Sequence, residues 1–161
     1  MDQINHYSVA TLRLTTVSKN TSIKLKASHF RIGFGKTPII AAANDFIFTG
    51  VDIKSGRLTF GVDTDFNRHL DHPHPQIYYQ DISIPFFHKA VQIVLELHKK
   101  IPFIYCIGWD VAIGVDGAIW IIEFNAVGNG VFLHQLFDGP VFQSLHWEKV
   151  ATKELQAPIF L

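Results

Sequence analysis

The sequence lacks the features that mark several large protein classes. It holds a single cysteine, Cys106, so no disulfide can form within the chain, which favours a reducing compartment. No apolar run approaches the roughly 20 residues that span a bilayer, and the amino end is too polar for a signal-peptide core. Fourteen basic residues balance fourteen acidic ones, without the basic excess usual in nucleic-acid-binding proteins. We therefore predict a cytoplasmic protein with no membrane span and no nucleic-acid partner.

What the sequence has in quantity is apolar residues. They make up 48% of 161 residues and include 14 phenylalanines. A chain of this length is sufficient for one domain, and we predict a single domain over residues 1–161. The apolar surplus has two interpretations that composition does not separate. It either fills a Phe-rich core or forms an exposed face that a partner chain or a second copy covers.

Residue patterning predicts an α+β fold, with a mostly antiparallel sheet and flanking helices. VATLRLTTV and SIKLKASHFRI alternate apolar and polar residues, which indicates a hairpin with one solvent-exposed face carrying Lys24, Lys26 and Ser28. DFIFTGVDI and RLTFGV indicate two more strands. Helical spacing predicts a helix over 85–100, with Pro85 at its first position. Two apolar strands, 103–114 and 118–124, and a short helix at 131–137 follow.

Acidic residues occur within the two last apolar strands. Asp116-Gly117 favours a two-residue hairpin loop, which places Asp110 directly opposite Glu123. Side chains alternate along a strand, so these acids and Asn125 share one face. A three-residue loop would shift this register. The other face is predicted to be core and carries Ile107, Trp109, Val111 and Ile113 against Trp120, Ile122 and Phe124.

Two opposed carboxylates need compensation, because like charges about 5 Å apart destabilise a sheet. One acid can keep its proton, with its pKa raised by burial. A lysine or arginine can lie between them. Alternatively, a divalent cation can bridge them, with Asn125 adding a hard oxygen ligand. The simplest alternative is a solvated sheet edge with surface lysines as partners.

The same stretch also carries a family resemblance. GWDVAIGVDGAIWIIEFNA, followed by GPVF, resembles the carboxyl-terminal part of ATP-grasp proteins, and the nearest group is the sugar-transfer-associated, alpha-L-glutamate-ligase-related family. TLRLTT, FRIGFGK, the His-Pro pairs and IPFFHKAVQIVLELHKKIP are similar to that family in the same order. The resemblance covers nearly the whole chain. The Gly-Trp-Asp…Glu-x-Asn element is its most specific part.

The resemblance implies a magnesium-nucleotide site and a set of roles. Asp110, Glu123 and Asn125 correspond to metal ligands, and Asn125 also lies at the nucleotide. Arg13 corresponds to a catalytic contact with phosphate or the acyl phosphate, and Arg31 and Lys36 to contacts with phosphate or substrate. The implied reaction uses ATP and Mg²⁺ to activate a small carboxylate, which is then ligated to an amine or similar nucleophile. The implied pathway is envelope polysaccharide or peptide-modification biosynthesis.

The chain also departs from the family pattern. The resemblance begins almost at residue 1, so no residue corresponds to the amino-terminal lysine, the mobile glycine-rich loop or the adenine-binding hinge of the family. We therefore expect the isolated chain to bind Mg-ATP poorly and to need a partner. The alternative function is a non-catalytic ATP-grasp remnant or interaction module. Val127, where relatives have proline, and Tyr79-Gln80-Asp81 also depart from the pattern.

Histidine and cysteine raise two further possibilities. His69, His72 and His74 invite a zinc interpretation, but no second ligand pair accompanies them, and a solvent-exposed loop over 63–81 is favoured. Cys106 is predicted to face the same side as Asp110, as a small buried residue rather than a nucleophile. RIGFGK does not match the P-loop pattern GxxxxGK[ST] and is interpreted as a turn with anion contacts.

Overall fold

The computed structural model describes residues 10–19, 22–33, 46–72 and 77–147. Within these ranges seven antiparallel strands form one sheet in the order β5-β4-β3-β2-β1-β6-β7. The strands are β1 Thr11–Lys19, β2 Ser22–Gly33, β3 Phe46–Val51, β4 Leu58–Val62, β5 Arg68–His69, β6 Cys106–Ile113 and β7 Ile119–Asn125. The helices are α1 Phe87–Lys99 and α2 Phe132–Asp138. The predicted α+β class is confirmed.

Helix α1 covers one face of the sheet and forms the core with it. Phe87, Ala90 and Val94 recur at helical spacing and are all buried. They belong to the same cluster as inward-facing residues of the strands, including Leu12, Leu14, Phe30, Ile32, Ile107, Trp109 and Val111. The predicted helix is therefore confirmed. It begins later than predicted, because Phe86 takes a left-handed conformation (φ 56°) and Pro85 precedes it. None of the helices in the described ranges is long and apolar enough to cross a membrane.

A buried polar network joins α1 to the sheet. The Trp109 Nε1–H donates to Thr16 Oγ1 at 2.8 Å. His98 Nε2 lies 2.8 Å from the Ile104 carbonyl, which can only accept, so this ring nitrogen carries the proton. His98 Nδ1 then accepts from the Thr16 hydroxyl at 2.7 Å. Each group has a partner, and we interpret His98 as a structural histidine.

The predicted solvent-exposed face of the first hairpin is correct at Lys24, which is exposed, and wrong at Ser28, which is buried. Helix α2 and the chain before it cover the face opposite α1, so β1 is buried on both sides along most of its length. Ser28 is fully buried and donates to the Arg13 carbonyl at 3.0 Å. A bulge interrupts the alternation, since Thr15 pairs with Ala27 while Thr16 pairs with Leu25. Lys26, the extra residue, reaches Ser144.

The β6–β7 hairpin has a different loop from the predicted one. Gly114 N donates to the Ala118 carbonyl at 2.8 Å, so three residues, 115–117, form the loop. Gly117 takes a φ of 77°, which suits the glycine position of a three-residue loop. A bulge in β7, at which Ile122 has no partner on β6, then shifts the register back by one residue. Beyond it, Asp110 pairs with Glu123, as predicted.

This bulge changes which β7 side chains are buried. Trp120 pairs with Ala112 on the face opposite the core and is 65% exposed. Ile122 and Phe124 are also exposed, although Phe124 still contacts the Trp109 ring. The prediction that these three residues face the core together is therefore wrong. Residues one position away, Ile119 and Ile121, pack against the core instead.

Residues 63–72 and 77–81, the described parts of the predicted surface loop, contain regular structure and buried side chains. They include β5, and both His72 and Tyr79 are buried. His69 hydrogen-bonds Asp63 at 2.8 Å, which lowers the pKa of Asp63 to about 2. His74 lies outside the described residues. In the described ranges no three histidine, cysteine, aspartate or glutamate side chains come together to hold a metal ion, so the zinc interpretation gains no support.

Candidate functional site

A cavity of about 290 Å³ lies on the sheet face opposite α1. Antiparallel pairing positions its floor: Arg13 on β1 is the direct neighbour of His29 on β2 and of Asp110 on β6. Neighbours paired across strands project from the same face. The chain between β7 and α2 forms the opposite wall. The cavity is lined by Thr11, Arg13, His29, Arg31, Phe48, Asp110, Asn125, Gly128, Gly130 and Leu133.

Arg13 and Asp110 form a two-pronged ion pair in the cavity. Arg13 Nε and Nη2 donate to the two carboxylate oxygens of Asp110 at 2.6 and 2.8 Å. Arg13 Nη1 donates to Asn129 Oδ1 at 3.0 Å. The side chains of Arg13 and Asp110 are only 19% and 18% exposed, so water screens the pair weakly. The negative charge of Asp110 is therefore balanced by an arginine, one of the three kinds of compensation considered from the sequence.

The other two predicted metal ligands lie on β7. Glu123 is opposite Asp110 and exposed, and it does not line the cavity. Asn125 is opposite Gly108 and does line it. Its Nδ2 atom is buried and has no hydrogen-bond partner within the described part of the chain. A buried amide donor without an acceptor costs free energy.

The donor types of these residues suit a hard divalent cation, and Asp110 and Asn125 line the cavity while Glu123 does not. Each oxygen of an ionised carboxylate has two lone pairs, so Asp110 can accept from Arg13 and still coordinate a metal ion. Two carboxylates and one amide oxygen are the donors that magnesium takes from proteins, with water and phosphate completing its shell.

Two buried histidines lie beneath the cavity. His29 Nδ1 is 3.4 Å from His134 Nδ1, and His134 Nε2 is 2.7 Å from Thr15 Oγ1. Burial, followed by the charge of Arg13, lowers the pKa of His134 to about 4. Burial, the neighbouring His134 and the two arginines lower the pKa of His29 well below its usual value. Both rings are therefore neutral at pH 7.

The remaining predicted residues divide into three cases. Arg31 lines the cavity, and its guanidinium carbon lies 5.8 Å from the centre of the Phe46 ring. Lys36 lies outside the described residues. Cys106 shares the face of Asp110, because the two residues are four positions apart on β6, as are their partners Val17 and Arg13 on β1. Burial raises the pKa of the Cys106 thiol, which argues against a nucleophilic role.

A family model described as sugar-transfer associated ATP-grasp matches residues 1–150. The chain belongs to the sugar-transfer associated ATP-grasp family. The predicted family is thereby confirmed. Neither the curated proteins nor the solved structures include a match to this chain.

Gly108 on β6 lies next to Asn129 and Arg13, where an added methyl group would disturb their hydrogen bond. A Cβ on Gly108 would lie 2.2 Å from Asn129 Oδ1 and 2.9 Å from Arg13 Nη1. We expect Gly108→Ala to displace Asn129, weaken its bond to Arg13 and cost about 1–3 kcal/mol in the free energy of unfolding. Urea denaturation measures this cost. Gly130→Ala is the control, since a Cβ there meets nothing within 4 Å; equal effects of the two changes would contradict the prediction.

Sequence reasoning missed several residues of this ATP-grasp site. His29 carried a usable signal, because it is two residues from Arg31 on a strand whose alternation was recognised. Asn129 and His134 carried none. Their partners Arg13 and Thr15 are 116 and 119 residues distant in sequence, and only the folded chain brings them together.

Proposed function

We propose that this ATP-grasp domain binds a magnesium nucleotide and a small carboxylate, and acts in ATP-dependent ligation of that carboxylate to an amine or similar nucleophile. The observation that carries the proposal is the convergence of Arg13, Arg31, Asp110 and Asn125 on one cavity. Two guanidinium groups suit phosphate or carboxylate oxygens. We also propose a cytoplasmic role in polysaccharide biosynthesis; the family description, sugar-transfer associated, supports only the link to sugar chemistry.

Each side chain has a role that follows from its position. Arg13 is the catalytic residue of the proposal: Asp110 and Asn129 hold its guanidinium, so it meets a transferring phosphoryl group without reorganising. Arg31 binds a second anionic group, and Lys36 is proposed to assist it. Asp110, Glu123 and Asn125 hold magnesium, which neutralises phosphate charge when bound. Catalysis then consists mainly of positioning and charge neutralisation.

A second candidate function is a non-catalytic interaction module. It is favoured by β7, an edge strand on which Trp120, Ile122 and Phe124 are more than half exposed. Apolar edge strands tend to pair with other chains. In this proposal a partner chain or second copy covers the edge, and the cavity retains metal or nucleotide affinity without turnover. The ligase should release ADP when it is given Mg-ATP and a carboxylate, and the interaction module should not. A measurement of ADP release therefore separates the two candidates.

Isothermal titration of the purified chain with Mg-ATP tests the proposed function. We expect Asp110→Asn and Glu123→Gln each to weaken binding by roughly tenfold or more. The matched control is Glu96→Gln, which removes an exposed carboxylate from α1 on the opposite face of the sheet. Titration with Mn²⁺ alone, followed by electron paramagnetic resonance, reports the metal site without nucleotide. Wild-type affinity no greater than that of the two site variants would refute the proposal.

A further inference from the structure

A buried chain of hydrogen bonds ends at the cavity on His29. The imidazole lines the cavity and is 7% exposed. Its Nδ1 is directed at His134, which leaves Nε2 as the ring nitrogen available to a ligand. His134 in turn reaches the hydroxyl of Thr15, and both residues are completely buried. The proposed reaction gives no role to these hydrogen-bonded residues.

The donor and the acceptor of each hydrogen bond follow from Thr15, at the buried end of the series. A hydroxyl group has one proton to donate, and within the described residues the only hydrogen-bond partner of Thr15 Oγ1 is His134 Nε2. A buried donor without an acceptor is costly, so the Thr15 hydroxyl donates to His134. His134 is neutral and therefore carries its proton on Nδ1, which donates to His29 Nδ1. His29 then carries its proton on Nε2.

We propose that His29 is a further ligand-binding residue that donates its Nε2–H to an anionic oxygen of the bound phosphate or carboxylate. The inference rests on the proposed function. Arg13 is the cross-strand neighbour of His29, and Arg31 lies two residues along the same strand, so three donors face one cavity. Thr15 and His134 are positioning residues, since they select the tautomer without contacting the ligand.

The neutral state of His29 matters for this role. A third positive charge beside Arg13 and Arg31 would be repelled by both, whereas a neutral N–H donor adds a directed hydrogen bond without that repulsion. The Phe48 ring meets the imidazole edge-on at 5.7 Å between ring centres and limits its rotation. His29 is thereby held as a donor of fixed direction.

Nuclear magnetic resonance of ¹⁵N-histidine-labelled protein tests the tautomer without any ligand. We expect a protonated Nε2 and an unprotonated Nδ1 for His29, and a protonated Nδ1 for His134. Thr15→Val removes only the hydroxyl group and should abolish this preference. A wild-type His29 protonated on Nδ1 would overturn the proposal, as would an unchanged tautomer in Thr15→Val.

Titrations with inorganic phosphate and with acetate test the ligand contact and distinguish its two anion classes. We expect His29→Phe to weaken binding of the preferred anion roughly tenfold, the effect of one lost hydrogen bond to a charged group. His29→Gln keeps an N–H near the Nε2 position and should restore most of the affinity. Binding equal in the wild type and His29→Phe would overturn only the role of His29. No binding of Mg-ATP or either anion to the wild type would overturn this role and the proposed function together.

Discussion

Acidification from pH 7 to pH 4 is expected to lower the free energy of unfolding by roughly 3 kcal/mol through His134 alone. Folding lowers the pKa of His134 from 6.5 to about 4, mainly because the ring is buried. Between these values the unfolded chain binds more protons than the folded one. The stabilisation is therefore complete above pH 6.5 and is lost as the pH falls towards 4. The lowered pKa of His29 acts in the same direction.

Urea denaturation at a series of pH values measures this effect. His134→Phe should flatten the dependence on pH between 6.5 and 4, whatever its effect on stability at neutral pH. The exposed His88 provides the control, because His88→Gln should keep the wild-type slope. The pKa of Asp63 is lowered from 3.8 to about 2, so the stability that its carboxylate contributes is lost mainly below pH 4. Parallel curves for His134→Phe and the wild type would refute the assignment to the buried ring.

The second large effect is expected at the ion pair between Arg13 and Asp110. Arg13→Met leaves the Asp110 carboxylate, 18% exposed, without its partner. Removing one member of a fully buried pair costs 3–5 kcal/mol, and partial exposure reduces our expectation to about 2–3 kcal/mol. Asn129 loses its donor at the same time. If the proposed function is correct, Mg-ATP affinity falls as well.

A double-mutant cycle with Arg13→Met and Asp110→Asn isolates the pairwise contribution. We expect a coupling free energy of about 1–3 kcal/mol, typical of residues in direct contact. The Lys99–Glu96 pair is a matched control in the same molecule, because its side chains are 58% and 59% exposed and its coupling should remain below about 1 kcal/mol. Equal coupling in the two cycles would show that burial does not strengthen the site pair.

Local sequence patterns predicted the elements of this fold well. Helix α1 has a clear apolar period, and β6 and β7 are long apolar runs on either side of a turn signal. The pairing of Asp110 with Glu123 was predicted from a two-residue loop that the structure does not have, and it is present because the bulge in β7 offsets the longer loop. Arg13 and Asp110 belong to strands far apart in sequence. The family resemblance implied that both residues belong to the nucleotide site, and the structure shows their direct contact.

The errors have identifiable physical causes. The two bulges, in β1–β2 and in β7, are backbone irregularities with no characteristic residue, so Trp120 and Ser28 were assigned to the wrong faces. Burial of both sheet faces depends on α2, whose seven residues carry too little periodicity to show where the helix packs. The contact between His29 and His134 spans 105 residues and leaves no local pattern.

The hairpin between β6 and β7 has a consequence for how such domains vary. Its loop has one residue more than a two-residue turn, and β7 has one unpaired residue at its bulge. The second irregularity restores the register that the first one shifts, so Asp110 still pairs with Glu123. What anchors Asp110 is its ladder with β1, deep in the sheet. The acids are thus opposed because β7 carries one compensating residue, and a tip of another length would need a matching change in β7 to keep them opposed.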